Sequence, residues 1–321
     1  MKFEIQGEAK EQRKVRIRFD VTNQFDCEGE WLRGNLHCHV RQMDGTEECC
    51  AFYQGRGHQF LASTDYSAIT PMLKPTADFI TLHGAEMSGV GKAHIVCVGL
   101  RHDIAPPTGS HADLARMMGE VRAMGGLAIL AHPYWSDFSW EELLQVARAG
   151  VIGFEISNRL CWRINGKERS EGLWQMLLGA GIRLAAIGVD DANTRPEENP
   201  DVAGRTWTGV LVRERTPEGI LDAIRSQRSY ASEGPSIRSI RFEPRGAIMV
   251  ECSECVACHF TSRGYGVRTI LARQGAEQFE VDLRREGYRL NEWLVVCLED
   301  RNGRRAWSSA IPVHAEVHNL Q

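Results

Sequence analysis

At 321 residues the chain is long enough for about two domains, or one barrel with an appendage, around a sizeable core. A hydrophobic content of 43% with 25% charged residues excludes disorder, and 38 Lys+Arg against 42 Asp+Glu, with no basic block, argues against nucleic-acid partners. No apolar run approaches the roughly 18 residues of a membrane helix, and Met1 to Asp20 alternates charged and apolar residues, unlike a signal peptide; the expectation is a cytoplasmic protein, off the membrane, with reduced cysteines.

Between about residues 31 and 230, short apolar runs alternate with amphipathic stretches, which predicts a parallel α/β architecture. Strands are expected at Trp31–Leu36, Phe60–Ser63, Phe79–Leu82, Ile95–Val98, Leu127–Leu130, Gly153–Ile156, Leu184–Ile187 and Gly209–Val212. Ser110 is placed to cap a helix whose Leu114, Met117, Met118, Val121 and Met124 share one face before Gly125 and Gly126 stop it. A capping box, Ser139 to Glu142, opens a second helix that ends at Gly150.

Beyond about Pro235 the helical period gives way to strands at Arg238–Phe242, Ala247–Glu251, Val267–Ala272, Gln278–Leu283 and Trp293–Glu299, with Asn302-Gly303 offering a hairpin turn. A small antiparallel β-sandwich is the economical reading. The expected division is an extended segment at 1–30, an α/β domain at 31–235 and the sandwich at 236–321. Cys252, Cys255, Cys258 and His259 have the spacing of a haem or zinc motif. Their strand-like flanks, and the lack of a second cysteine pair, favour cysteines acting as small apolar side chains.

Ionisable residues gather where the apolar runs end, and in α/β barrels those carboxyl ends carry the working residues. His37-Cys38-His39 follows the first run, then come Asp65, Glu86, His132, Glu155 to Asn158, and Asp190-Asp191-Ala192-Asn193. Histidines at i and i+2 on an extended segment can face one side and share one cation, and carboxylates can bridge two cations. Recurrence of such groups at five or six successive units predicts a metal site.

Taken in order, Gly34-Asn35-Leu36-His37-Cys38-His39, Asp44-Gly45, Phe60-Leu61-Ala62-Ser63-Thr64-Asp65, Gly84-Ala85-Glu86, Ala93-His94-Ile95, Ala131-His132-Pro133 and Gly188-Val189-Asp190-Asp191-Ala192-Asn193 resemble the motifs of the PHP (polymerase and histidinol phosphatase) family. The stretch from Trp293 to Trp307 is similar, more loosely, to the β-sandwich tail of one PHP branch. The resemblance implies a distorted (β/α)7 barrel with divalent zinc, manganese or iron. It assigns His37, His39, Glu86 and Asp191 to one ion, and Glu86, His94 and His132 to a second. A hydroxide between the two would attack a phosphoester of a small molecule, with Glu86, Asp191 and His132 catalytic.

Two departures fall on the family's third ion, because Tyr66 and Asn193 stand where the motifs carry histidine. A phenol and a neutral amide are poor ligands for such ions, so two ions are expected, with the third position empty or weakly held. Asp44, Asp65, Tyr66, Asn158 and Asn193 are expected to surround the ligands or meet the substrate, Tyr134 and Trp135 to wall the pocket, and His58 or His83 is weighed as a replacement imidazole. The alternatives are a weakly active metal-holding binding protein and a hydrolase of a non-phosphate substrate.

Overall fold

The structure is a computed structural model that describes residues 1–8, 14–264, 267–286 and 290–319. Two compact units emerge: one combines Met1–Glu28 with Gly234–Gln321, and the other is Gly29–Glu233. The N-terminal segment is a hairpin, β1 (Lys2–Glu8) paired antiparallel with β2 (Lys14–Val21).

The second unit begins with β3 (Glu30–Asn35), α1 (Thr46–Gly55), β4 (Phe60–Ser63), β5 (Ile80–Val90) and β6 (Ala93–Val98). It continues through α2 (His111–Ala123), β7 (Leu127–Leu130), α3 (Trp140–Arg148), β8 (Gly153–Asn158), α4 (Arg159–Asn165) and α5 (Glu171–Gly179). It closes with β9 (Ala185–Val189), β10 (Trp207–Val212), α6 (Pro217–Arg225) and β11 (Ser229–Ser232). Ser110 caps α2 by accepting from the Asp113 amide, and Ser139 with Glu142 forms both halves of the capping box on α3.

The ladders give a mixed sheet. Parallel pairs join β3 to β4, β4 to β5, β7 to β8 and β8 to β9, whereas β5–β6, β6–β7, β3–β10 and β10–β11 run antiparallel. The parallel α/β architecture expected from the sequence is therefore corrected at β6 and at β10. At β6 the cause is the two-residue link Gly91-Lys92, with Gly91 at φ 56, between Val90 and Ala93; a link that short joins only antiparallel strands.

Nor do hydrogen-bonded ladders close the expected seven-stranded barrel. Among the described residues no ladder joins β9 to β10 or β11. Side chains stitch that seam instead: Thr208 Oγ1 accepts from the Gly188 amide at 3.1 Å and donates to its carbonyl at 2.8 Å, and Ser229 Oγ donates to the Ala186 carbonyl at 3.1 Å. A Cβ at Gly188 would stand 2.6 Å from the Trp207 carbonyl oxygen, so only glycine permits this approach.

Strand alternation sets the core and the site on one face. Ile80 and Leu82 of β5, Val96 and Val98 of β6, Leu127 and Ile129 of β7, and Ala185, Ile187 and Val189 of β9 pack together with Ile220 and Ile224 of α6. The same alternation puts Glu86 beyond Leu82 and His94 before Val96. Because β6 runs antiparallel, its first residues lie at the end of the sheet where β4, β7, β8 and β9 finish.

In the other unit, β12 (Ile237–Glu243), β13 (Ala247–Ser262), β14 (Arg268–Asp282), β15 (Glu292–Glu299), β16 (Arg305–Ser308) and β17 (Ile311–Asn319) pair antiparallel, and β17 also pairs with β2. The β15–β16 turn holds Gly303 at φ 73, where glycine is at ease, and Asp300 Oδ1 accepts from the Asn302 and Arg304 amides. Strand β13 runs through the cysteine motif. Register shifts flanking Cys255 turn Cys252, Cys255 and Cys258 all inward despite their three-residue spacing. His259 hydrogen-bonds the Thr269 hydroxyl at 2.9 Å.

Candidate metal centre

Six of the residues singled out in the sequence meet at the carboxyl-terminal end of the sheet as two groups of donors, His37, His39 and Asp191 in one and Glu86, His94 and His132 in the other. Glu86 stands between them. Its Oε2 lies 3.4 Å from His37 Nε2 and 3.4 Å from His39 Nε2, while its Oε1 lies 2.7 Å from His94 Nδ1 and 3.4 Å from His132 Nε2. Asp191 Oδ1 completes the first group at 3.2 Å from both His37 Nε2 and His39 Nε2.

These spacings fit a cation. Four donors placed tetrahedrally about 2.0–2.1 Å from an ion stand about 3.3 Å from one another, which is the separation found in the first group. His37 Nδ1 is 2.7 Å from Glu155 Oε1, an arrangement that puts the ring proton on Nδ1 and leaves the Nε2 lone pair facing two carboxylates. Nε2 is buried and has no hydrogen-bond partner. In that tautomer an electron pair, two carboxylate oxygens and a second imidazole nitrogen converge, a donor set suited to a divalent cation.

The electrostatics agree. Burial would by itself lower the His37 pKa, but Asp191, Glu155 and Glu86 outweigh it and raise it well above the ordinary 6.5, so without a metal the ring takes up a proton. Burial would raise the Glu86 and Asp191 carboxyls, yet both are held low, Glu86 by the charge of His37 and by hydrogen bonds from His132 and His94. His132 is raised despite its burial, with the hydrogen bond to Glu86 the main cause.

Glu155 organises the surroundings. While Oε1 holds His37, Oε2 accepts from the His132 amide at 2.7 Å and from Asn158 Nδ2 at 2.9 Å. Asn158 also donates to Asp191 Oδ2 at 3.1 Å, and its Oδ1 caps α4 through the Cys161 amide. The N-cap role and the site role thus coincide in one side chain. His132 and Asp191 adopt left-handed backbone conformations, φ 30 and φ 54, rare for non-glycine residues and typical of sites whose geometry is imposed by their surroundings. Neighbouring Asp190 is structural: its carboxylate accepts from the Gly204, Arg205 and Thr206 amides, Asn35 Nδ2 and the Tyr53 hydroxyl.

The remaining residues from the sequence lie around this centre or away from it. The Tyr66 ring packs 4.3 Å from the His39 ring; burial, then Glu86 and Asp191, raise the phenol's pKa, with Asn193 nearby opposing them. Asp65 accepts from the Arg41 amide at 3.2 Å, from Ser63 Oγ at 3.3 Å and from Thr70 Oγ1. Asp44 pairs with Arg195 at 2.6 Å. Trp135 packs edge-on against His132 at 5.0 Å, while Lys167 lies 5.2 Å over Tyr134. Neither His58 nor His83 joins the donors. His58 is buried against Tyr53, its pKa lowered to about 3 by burial and by Arg33 and Arg56, and His83 faces outward, its Nε2 accepting from the Met72 amide.

Sequence reasoning placed Glu155 at a strand end without giving it this part. The only signal was an acidic residue inside a run, Gly153–Asn158, that is otherwise apolar or small and wholly buried.

No family model and no curated protein matches this chain. Among solved structures, it is similar to a two-domain protein from Bacteroides vulgatus ATCC 8482 containing a predicted PHP-like metal-dependent phosphoesterase, with a TM-score of 0.49 and 14% identity, over 91% of this chain and 96% of that one.

Proposed function

We propose that the chain is a metal-dependent hydrolase acting on a phosphoester of a small molecule, and that its open sheet is a distorted form of the (β/α)7 PHP barrel. The observation that carries this reading is Glu86, whose two oxygens face two separate donor groups. His37, His39, Asp191 and Glu86 Oε2 would hold one divalent ion, zinc, manganese or iron, and Glu86 Oε1, His94 and His132 the other. Bound there, the pair would acidify a water and neutralise charge growing on the ester's oxygens.

The protein's own contribution is positioning. Glu155 fixes the tautomer of His37 and, through the His132 amide, the placement of the second group. Asn158 holds Asp191 Oδ2 so that Oδ1 points at the donors. Asp65 accepts from Arg41, Ser63 and Thr70, and beside it a phenol, Tyr66, and a neutral amide, Asn193, stand where an ion would need imidazoles, which leaves little at the third position to bind an ion. We therefore assign two ions per chain.

Ten free cysteines, most of them buried, support a reducing compartment, the cytoplasm. No helix among the described residues is long and apolar enough to cross a membrane, and we assign neither a membrane nor a nucleic-acid partner. Tyr66 and Asn193 favour a rival reading, a metal-holding protein with little turnover. A phosphoester panel with added manganese or zinc decides between them. Wild type is expected to turn over at least one ester, and His37→Ala and Asp191→Ala to lose that activity by about 100-fold or more; turnover that survives both substitutions, or none under any metal, sinks the proposal.

A further inference from the structure

Among the described residues four large aromatic side chains are exposed, Tyr66, Tyr134, Trp135 and Trp162, and two of them rest on the donor imidazoles. Tyr66, 49% exposed, packs 4.3 Å from His39, and Trp135, 38% exposed, packs 5.0 Å from His132. Between them the rings continue: His39 to His37 at 5.3 Å and His37 to His132 at 6.1 Å. The donor cluster is thus bracketed by an exposed aromatic ring at each end, one beside each donor group.

Neither face is a loose loop side chain. The turn that carries Trp135 is pinned by the Ser136 amide on the His132 carbonyl at 3.1 Å and by the Tyr134 amide on Ser170 Oγ at 3.0 Å. Lys92 adds a hydrogen bond to the Asp137 carbonyl at 2.8 Å, and Lys167 an ion pair to its carboxylate at 3.7 Å. Tyr66 is bridged to Glu86 through the backbone, and the Ser67 amide donates to the Glu86 carbonyl at 2.9 Å. Two exposed aromatic rings on backbone pinned beside a polar site offer a contact for a flat group.

We propose that Tyr66 and Trp135 select substrates in which the phosphoester is attached to a planar aromatic or heteroaromatic group. Such a group packs on one of the two faces while the ester sits over the donors. This rests on the phosphoesterase reading above.

The test uses two non-hydrolysable ligands, phenylphosphonate and methylphosphonate, titrated by calorimetry into manganese-loaded wild type and into Tyr66→Leu and Trp135→Leu. Wild type is expected to bind phenylphosphonate about fivefold or more tightly than methylphosphonate. At least one variant should lose that preference and keep its affinity for methylphosphonate, which reports that the donors remain intact. Equal affinities in wild type, a preference retained in both variants, or equal weakening toward both ligands overturns the inference and leaves the phosphoesterase reading standing. Failure of wild type to bind either phosphonate overturns that reading and this inference together.

Discussion

The two donor groups share Glu86 but differ in enclosure. His37, His39 and Asp191 are buried, and Glu155 and Asn158 fix His37 and Asp191. In the second group His94 is 31% exposed, and His132 takes its ring contact from Ser136 Oγ at 3.2 Å and its wall from exposed Trp135. One group is built as a rigid receptacle and the other as an open one. Buried carboxylates without a counter-charge are costly, so the enclosed group must hold a cation or a proton at all times, whereas the open group is free to exchange ligands with solvent.

The largest effect should come from the residue common to both. Glu86→Ala is expected to abolish binding of two ions and to lower phosphoester turnover by about 1000-fold or more; retention of two ions, measured by elemental analysis of untagged protein, would break the idea of a shared carboxylate. Separating the groups comes next. His94→Ala should keep one ion per chain in the enclosed group, while Asp191→Ala should lose that tightly held ion. The reverse order of affinities would contradict the distinction between closed and open sites.

A subtler probe leaves every donor in place. Glu155→Gln should weaken metal binding at the enclosed group by about 10- to 100-fold, and a metal titration that matches wild type would remove Glu155 from the account. The smallest signal is a proton. With its pKa raised, His37 is protonated in metal-free protein near pH 7, and a cation needs the neutral ring, so loading should release protons into a weakly buffered solution. For the metal-free protein the sign is fixed by the raised value: the stabilisation from charged His37 is full below about pH 6.5 and is lost as pH rises through the folded-state pKa. Metal affinity therefore rises with pH over that range, and a pH-independent affinity would contradict the charge state assigned to His37.

Much of this arrangement is legible in the sequence. The donors announce themselves because imidazoles and carboxylates follow apolar runs, and strand ends are local features. What the sequence hid is non-local. The strand direction at β6 depends on the two-residue Gly91-Lys92 link, and only the resulting antiparallel pairing brings His94, at the start of a strand, to the end where His132 and Asp191 sit. Glu155 was visible as a residue but not as a hub, since its three partners come from residues 37, 132 and 158. The gap at β9 is spanned by the hydroxyls of Thr208 and Ser229, which carry no periodic signature. In the other unit, bulges around Cys255 turn three cysteines to one side, an outcome that strand alternation alone does not give.

Anomalous diffraction from crystals grown with manganese or zinc tests the central claim most directly. Two peaks per chain are expected, one on each side of the Glu86 carboxylate and about 3.5–4 Å apart. A single peak, or peaks that do not touch Glu86, would contradict the account.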